Sequence, residues 1–381
     1  VLIDCDANAT YSPDSVGKEL IRQALEVLGN PSSLHRGGQR AKVALEEARD
    51  SIRALVGLPT NSSRFKVIFT SGASEANNLV VASFARGDAH VVSSKVEHAC
   101  VLMPLERASA HGAHVALVDP SRDGVVGVDQ VLGAAQPHTA LVSVMAANNE
   151  IGAINPIAEV AKAVRVKSPR AVIHTDAAQV LGKISWSMEE SGVDCATLSG
   201  HKFGSLPGVG ALIAREGVAL SPIILGGSQE EKLRGGTENV LGIVHMGLVA
   251  RRVLSELQGR TQRMAAVRDA FEARLREKVP QCSINALNSA RLPNTSSVSL
   301  PGMVGDDLVV ALDLLGILVS SGAACSSGKP EPSHVLLAMG QERQQVKATV
   351  RVSFRADQEP ELGVQVADAL AEVVARSGGT Q

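Results

Sequence analysis

A lysine set among small residues, Leu198-Ser199-Gly200-His201-Lys202-Phe203, follows an apolar run, and the preceding apolar run ends in an acid, Asp176-Ala177-Ala178-Gln179. An amine in that setting suits a Schiff base to pyridoxal phosphate. A carboxylate at the end of the neighbouring strand can pair with the protonated pyridine nitrogen and keep the ring an electron sink. Each residue alone has a plainer reading, a solvated lysine and an aspartate capping a turn; the combination carries the cofactor. Thr70-Ser71-Gly72-Ala73-Ser74-Glu75-Ala76-Asn77 follows another apolar run and opens a helical one. Free N–H groups, the helix dipole and the Ser71 and Ser74 hydroxyls make it a phosphate seat or an ordinary serine cap. His98, in Lys95-Val96-Glu97-His98-Ala99, suits an imidazole that stacks on the ring and moves protons near neutral pH, with a structural histidine as the alternative. Arg351 interrupts the apolar Val350-Arg351-Val352-Ser353, so it needs an anion: a substrate carboxylate or a structural acid. Among the cysteines only Cys325 lies in a loop of small flexible residues, SSGAACSSGK, as a thiol that must move and be reached would. Cys100, Cys195 and Cys282 neighbour apolar residues and read as small hydrophobes; Cys5 is left open.

These groups need a frame. Short β-branched runs at 66–69, 90–93, 114–118, 140–145, 171–175, 193–198 and 209–213 alternate with helix-like segments. That pattern predicts a mainly parallel sheet wrapped on both faces, with ligands at the carboxyl ends of its strands. Ala41, Leu45, Ala48, Ile52 and Leu55 fall on one face of an amphipathic helix opposite Lys42, Glu46, Arg49 and Arg53. Residues 1–13 read as an extended segment leading to a turn, and 29–33 as a loop. A Gly-rich irregular stretch at 216–240 precedes a long helix over roughly 240–278. Strand candidates at 295–300, 317–321 and 348–354 and a closing helix near 359–375 then form a smaller α/β unit.

The 381 residues are enough for two or three domains, and a net charge of −2 with no basic block and no long apolar run excludes nucleic-acid and membrane binding as the leading classes. One Trp and one Tyr leave the core to Ala, Val, Leu and Ile and provide no stacking platform for bases. Five cysteines, odd in number and never in a CxxC spacing, argue against a disulfide framework and a zinc site and predict a reducing compartment, the cytoplasm. The start at Val1 rather than Met leaves room for a removed targeting segment and an organellar location.

Eleven stretches in one order resemble the class I pyridoxal-phosphate-dependent cysteine desulfurases of iron–sulfur cluster assembly and their relative selenocysteine lyase. They are the Asn-Ala-Thr at 8–10, GNPSSLH at 29–35, FTSGASEANN at 69–78, EH at 97–98, NNEIG at 148–152, HTDAAQVLGK at 174–183, SGHKFG at 199–204, RGGTEN at 234–239, SSGAACSS at 320–327, EPSHVLLAMG at 331–340 and RVSF at 351–354. The resemblance implies fold type I, with a large cofactor-binding domain over 14–255 and a small domain, 1–13 with 256–381, carrying the cysteine loop. It implies that Lys202 carries the cofactor, Asp176 meets the pyridine nitrogen and His98 stacks on the ring. Gln179 and Asn149 would lie near the phenolic oxygen, Asn149 also near the substrate carboxylate. Ala73, Ser74, Ser199 and His201 would hold the phosphate, with Thr237 reaching it from the partner subunit of a homodimer. Arg351 would clamp the carboxylate of L-cysteine, and Cys325 would take the sulfur as a persulfide for an acceptor or scaffold protein, leaving L-alanine. The MAANNE and RLPNTSSVSL wording favours the lyase, SSGAACSSGK and EPSHVLLAMG the desulfurase; a catalytically silent scaffold is the rival of another class. The chain departs from the family at Tyr11, where Thr is usual, at Gly204-Ser205-Leu206-Pro207-Gly208 in place of Tyr-Gly-Pro-Lys-Gly, and at Arg355, where Gly is common. The first two are expected to alter the entrance or acceptor docking.

Overall fold

The structure, a computed structural model, describes residues 2–60, 62–321 and 331–378. Its strands in chain order are β1 (Ile3–Asp4), β2 (Phe65–Thr70), β3 (His90–Ser94), β4 (His114–Val118), β5 (Thr139–Ser143), β6 (Val172–Asp176), β7 (Cys195–Ser199), β8 (Gly210–Arg215), β9 (Ser283–Ile284), β10 (Thr295–Ser299), β11 (Ile317–Leu318), β12 (Ser320–Ser321) and β13 (Thr349–Ser353). All seven runs expected between 65 and 215 are strands of one sheet in the order β2-β8-β7-β6-β5-β3-β4. It is parallel except that β8 runs antiparallel to both neighbours.

The alternation of side chains sorts the sheet's two faces. Val67, Phe69, Val92, Val142, Ile173, Ala196 and Ile213 join one buried cluster; Ile68, Val91, Leu141, Cys195, Leu212 and Ala214 join another on the opposite side. With both faces covered, the strands read as continuous apolar runs, which is why they were visible in the sequence. The helix Arg36–Leu55 buries Ala41, Leu45, Ala48, Ile52 and Leu55 against the larger cluster.

The helix Val240–Lys278 spans two cores. Its first turns bury Ile243, Met246, Val249 and Val253 in the large cluster, and its later turns bury Val267, Phe271 and Leu275 in a second one. That second core closes under a four-stranded sheet, β12-β13-β10-β9, and the helix Pro360–Gly378. The expected strand 317–321 is two short strands, because the chain changes partner at Val319: β11 pairs parallel with β1 and β12 antiparallel with β13. The first residues leave the second core, where Cys5 is buried, pass Ser353 of β13, and reach the end of β7, where the Tyr11 N–H donates to the His201 carbonyl at 2.9 Å. No helix among the described residues is long and apolar enough to cross a membrane.

Candidate active site

Asp176 closes β6 and is 5% exposed. Its Oδ1 accepts the Ala178 N–H at 2.9 Å, and its Oδ2 accepts from Asn77 Nδ2 at 2.7 Å. The turn cap and the acid facing the site are thus two oxygens of one group. Lys202 ends the single turn Gly200–Lys202 that follows β7, and its Nζ donates to the carbonyls of Asn8 and Ala9, each at 2.8 Å. Burial, with the Arg351 charge, brings this amine down to about 8, against the opposing pull of Asp176 and Asp6.

His98 lies four residues beyond β3 and caps the helix Ala99–Ala110, accepting the Cys100 N–H on Nδ1 at 3.2 Å. That bond makes Nδ1 the acceptor, so the neutral ring carries its proton on Nε2. Desolvation by the surrounding protein lowers its pKa, Asp176 opposing and Lys202 assisting, while the residue keeps part of its surface exposed. Cys100 packs against the apolar cluster on one face of the sheet, as its sequence neighbours suggest, and its thiol also faces the site. Its Sγ lies 2.9 Å from His98 Nδ1, 3.0 Å from Asn77 Nδ2 and 4.0 Å from Asp176 Oδ2. A helix that begins at the site carries its second residue there whatever that residue's neighbours are. Burial and Asp176 push the thiol up to about 12, which keeps it protonated.

The helix Ala73–Phe84 starts without a side-chain cap after Gly72, whose φ of +155° is a glycine conformation. A Cβ on Gly210 of β8 would stand 2.7 Å from the Gly72 Cα, so two glycines let strand and turn touch. The result is a helix start with free amides at Ala73 and Ser74, facing the end of β7 where Ser199 is buried. His201 Nδ1 is 3.1 Å from Thr10 Oγ1, and burial with the nearby Lys202 charge takes it down to about 4. Thr237 stands exposed on a loop tied back by Arg234 Nε to Glu75 Oε1 at 3.1 Å, outside the network around Lys202.

Arg351 comes from β13 in the other sheet. Its Nη1 donates to the Asn149 carbonyl at 3.1 Å; its Nη2 donates to Asp6 Oδ1 at 2.7 Å and to Ser320 Oγ at 2.9 Å, while its buried Nε has no partner among the described residues. The structural acid left open by the sequence is therefore Asp6. Cys325 lies outside the described residues. Both flanks of its segment are fixed at the site: Ser320 on Arg351, and His334, whose Nε2 is 2.9 Å from the Glu97 carbonyl next to His98.

The residues that sequence reasoning missed are amides and a second lysine. Asn8 Nδ2 donates to the Asn149 carbonyl at 3.1 Å and to Thr295 Oγ1 at 2.9 Å, joining the two sheets. Asn8 and Lys183 both stand inside the stretches that carried the resemblance, which was the available signal; neither bears a charge pattern or spacing that names its task. Glu97, buried before His98, is pushed up to about 8 by desolvation.

The departures from the family pattern meet one another. Tyr11 is 5% exposed, so it is packing and not an entrance residue. The guanidinium groups of Arg260 and Arg355 lie over its ring, 5.1 and 5.0 Å from the centroid, and its hydroxyl accepts the Ala356 N–H at 2.9 Å. A Cβ on Gly204 would meet the Tyr11 ring at 3.5 Å. The ring absent at 204 is thus next to the ring supplied at 11.

The chain was also compared with known proteins. The family described as aminotransferase class-V matches residues 3–362. "Cysteine desulfurase IscS" of Dictyoglomus turgidum is 40% identical over 82% of this chain and 79% of its own length. "Putative cysteine desulfurase IscS 1" of Bacillus subtilis is 35% identical over 97% and 98%. A solved structure titled "NifS-like protein" superposes with a TM-score of 0.90 at 32% identity, covering 99% of this chain and all (100%) of that one.

Proposed function

We propose that this chain, which belongs to the class-V aminotransferase family, is a pyridoxal-phosphate-dependent cysteine desulfurase. It converts L-cysteine to L-alanine and takes the sulfur as a persulfide on Cys325 for delivery to an acceptor protein. The observation that carries this reading is the convergence of Lys202, Asp176 and both anchors of the segment bearing Cys325 on one end of the large sheet.

The groups present fit the cofactor. The uncapped amides of Ala73 and Ser74, with Ser199 and His201, suit a phosphate; Asp176 suits a pyridinium, and Gln179 and Asn149 suit the phenolic oxygen. Thr237, exposed on its own chain, is assigned to the phosphate of a partner subunit in a homodimer. When bound, pyridoxal phosphate supplies an electron sink that acidifies the substrate Cα–H. Lys202, an amine that burial brings down from its ordinary pKa, moves that proton. Arg351, beside Asn149, binds the substrate carboxylate through a guanidinium whose Nε is still unpaired. The Cys325 thiolate attacks the substrate sulfur, the Cβ–S bond breaks, and His98, proton on Nε2, serves proton traffic at the sulfur. Cysteine plus the Cys325 thiol equals alanine plus persulfide, so no oxidant or reductant enters. A reducing compartment, the cytoplasm, suits a reaction that depends on a free thiol.

A single turnover with L-cysteine followed by mass spectrometry tests the reading: alanine appears and one sulfur atom is found on Cys325. Sulfur retained on the enzyme by Cys325→Ala would remove the nucleophile assignment. Alanine from selenocysteine but not cysteine would move the protein to the lyase.

A further inference from the structure

Lys183 is 1% exposed, among the largest fully buried side chains of the molecule. Its Nζ donates to Gln179 Oε1 at 2.5 Å and to Asn8 Oδ1 at 2.7 Å, two neutral amides, and no carboxylate among the described residues pairs with it. The nearby charges are cations, Lys202 and Arg351, which together with burial hold the amine well below its ordinary pKa. An unpaired buried lysine with hydrogen-bond donors spent on amides is costly to keep, and packing alone is served better by an apolar side chain.

The geometry shows what it orients. Gln179 Nε2 donates to the Asn8 carbonyl at 3.1 Å, the same carbonyl on which Lys202 Nζ rests at 2.8 Å. Reversing the Gln179 amide would set its oxygen against that carbonyl and its nitrogen against the Lys183 donors. The amide thus has one orientation, Oε1 toward Lys183 and Nε2 outward, with a second N–H left to give.

We propose that Lys183 is a positioning residue of the cofactor site, fixing the Gln179 carboxamide so that Nε2 donates to the phenolic oxygen of the cofactor, and fixing the Asn8 segment that receives Lys202. This rests on the proposed function and on the placement of Gln179 within it. A donor on the phenolic oxygen stabilises its anion and lowers the pH at which the cofactor–lysine linkage loses its proton. Removing the donor raises that pH.

The test is the pH titration of the visible band of the loaded, substrate-free enzyme. Lys183→Met raises the midpoint by about one unit, the size expected for one lost charge-assisted hydrogen bond. Gln179→Leu does the same, and the double variant moves no further than Gln179→Leu alone, because both act through one bond. A midpoint unmoved in either single variant, or shifts that add in the double, overturns the inference. A merely structural lysine would lower the melting temperature and leave the midpoint in place. If Lys183→Met does not yield folded enzyme, Lys183→Gln carries the test: a shift in the direction of Gln179→Leu supports the proposal, a parental midpoint overturns it. A parent enzyme with no visible band after loading would overturn the proposed function itself, an outcome distinct from a band that titrates identically in all variants.

Discussion

The strand ends of the seven-stranded sheet and the four-stranded sheet behind Arg351 supply the same site by opposite means. On the large sheet, Asp176, Lys202, His98 and the amides of Ala73 and Ser74 sit where strands stop and turns or helices start, so backbone geometry aims them. On the smaller sheet, Arg351 lies mid-strand in β13, opposite Ser297 and Ser320, and is aimed by what it touches: Asp6, Ser320 and the Asn149 carbonyl. A group aimed by the backbone tolerates change around it; a group aimed by partners depends on each of them. The residues from Asp6 to Tyr11 stitch the two regions together.

The sharpest break is Lys202→Ala, which removes the amine from the backbone-aimed side. Turnover falls by roughly 10⁴-fold or more, and dialysed protein loses its visible band. Turnover within tenfold of the parent would end the assignment. On the partner-aimed side, Arg351→Ala raises KM for cysteine by about 10- to 100-fold with a smaller change in kcat, the loss of one charge-assisted pair. Asp6→Asn sharpens the contrast by lowering KM a few-fold, since it releases the guanidinium from its resting anion. If KM does not move in either variant, Arg351 serves the fold alone.

The pH dependence of loading gives a smaller effect. Burial lowers the Lys202 amine to about 8 in the cofactor-free chain. Below that pH the ammonium dominates, so the rate of pyridoxal phosphate uptake rises about tenfold per unit and levels off above pH 8. An ordinary lysine would keep rising past pH 10, which stopped-flow absorbance distinguishes. Smallest is the Tyr11 stack. Tyr11→Thr and Arg355→Gly each cost about 1–2 kcal/mol in urea unfolding, and the double variant falls short of their sum by about 0.5–1 kcal/mol. Additive losses would mean that the two departures from the family pattern are independent.

The two regions were not equally legible. The seven strands of the large sheet were readable because burial on both faces makes each a continuous apolar run, and their order along the chain placed the loops that matter. The strand at 317–321 was read as one because a two-residue pairing on either side of Val319 leaves no pattern of its own. The apolar neighbours of Cys100 gave its packing but carried no sign of the His98 and Asp176 beside its thiol, and the need of Arg351 for an anion was legible while that anion's identity lay 345 residues away.

By itself the sequence determined the α/β frame, the placing of a lysine and an acid at neighbouring strand ends, and, through the order of its motifs, the family. These are encoded in short stretches whose residues act where they stand. Only the tertiary structure decided that Asp6 neutralises Arg351, that Asn8 joins Lys202, Gln179, Lys183 and Asn149, and that Tyr11 packs beside Gly204 and Arg355. A buried hydrogen bond between distant segments is specified by both partners at once, and neither carries a local sign of the other.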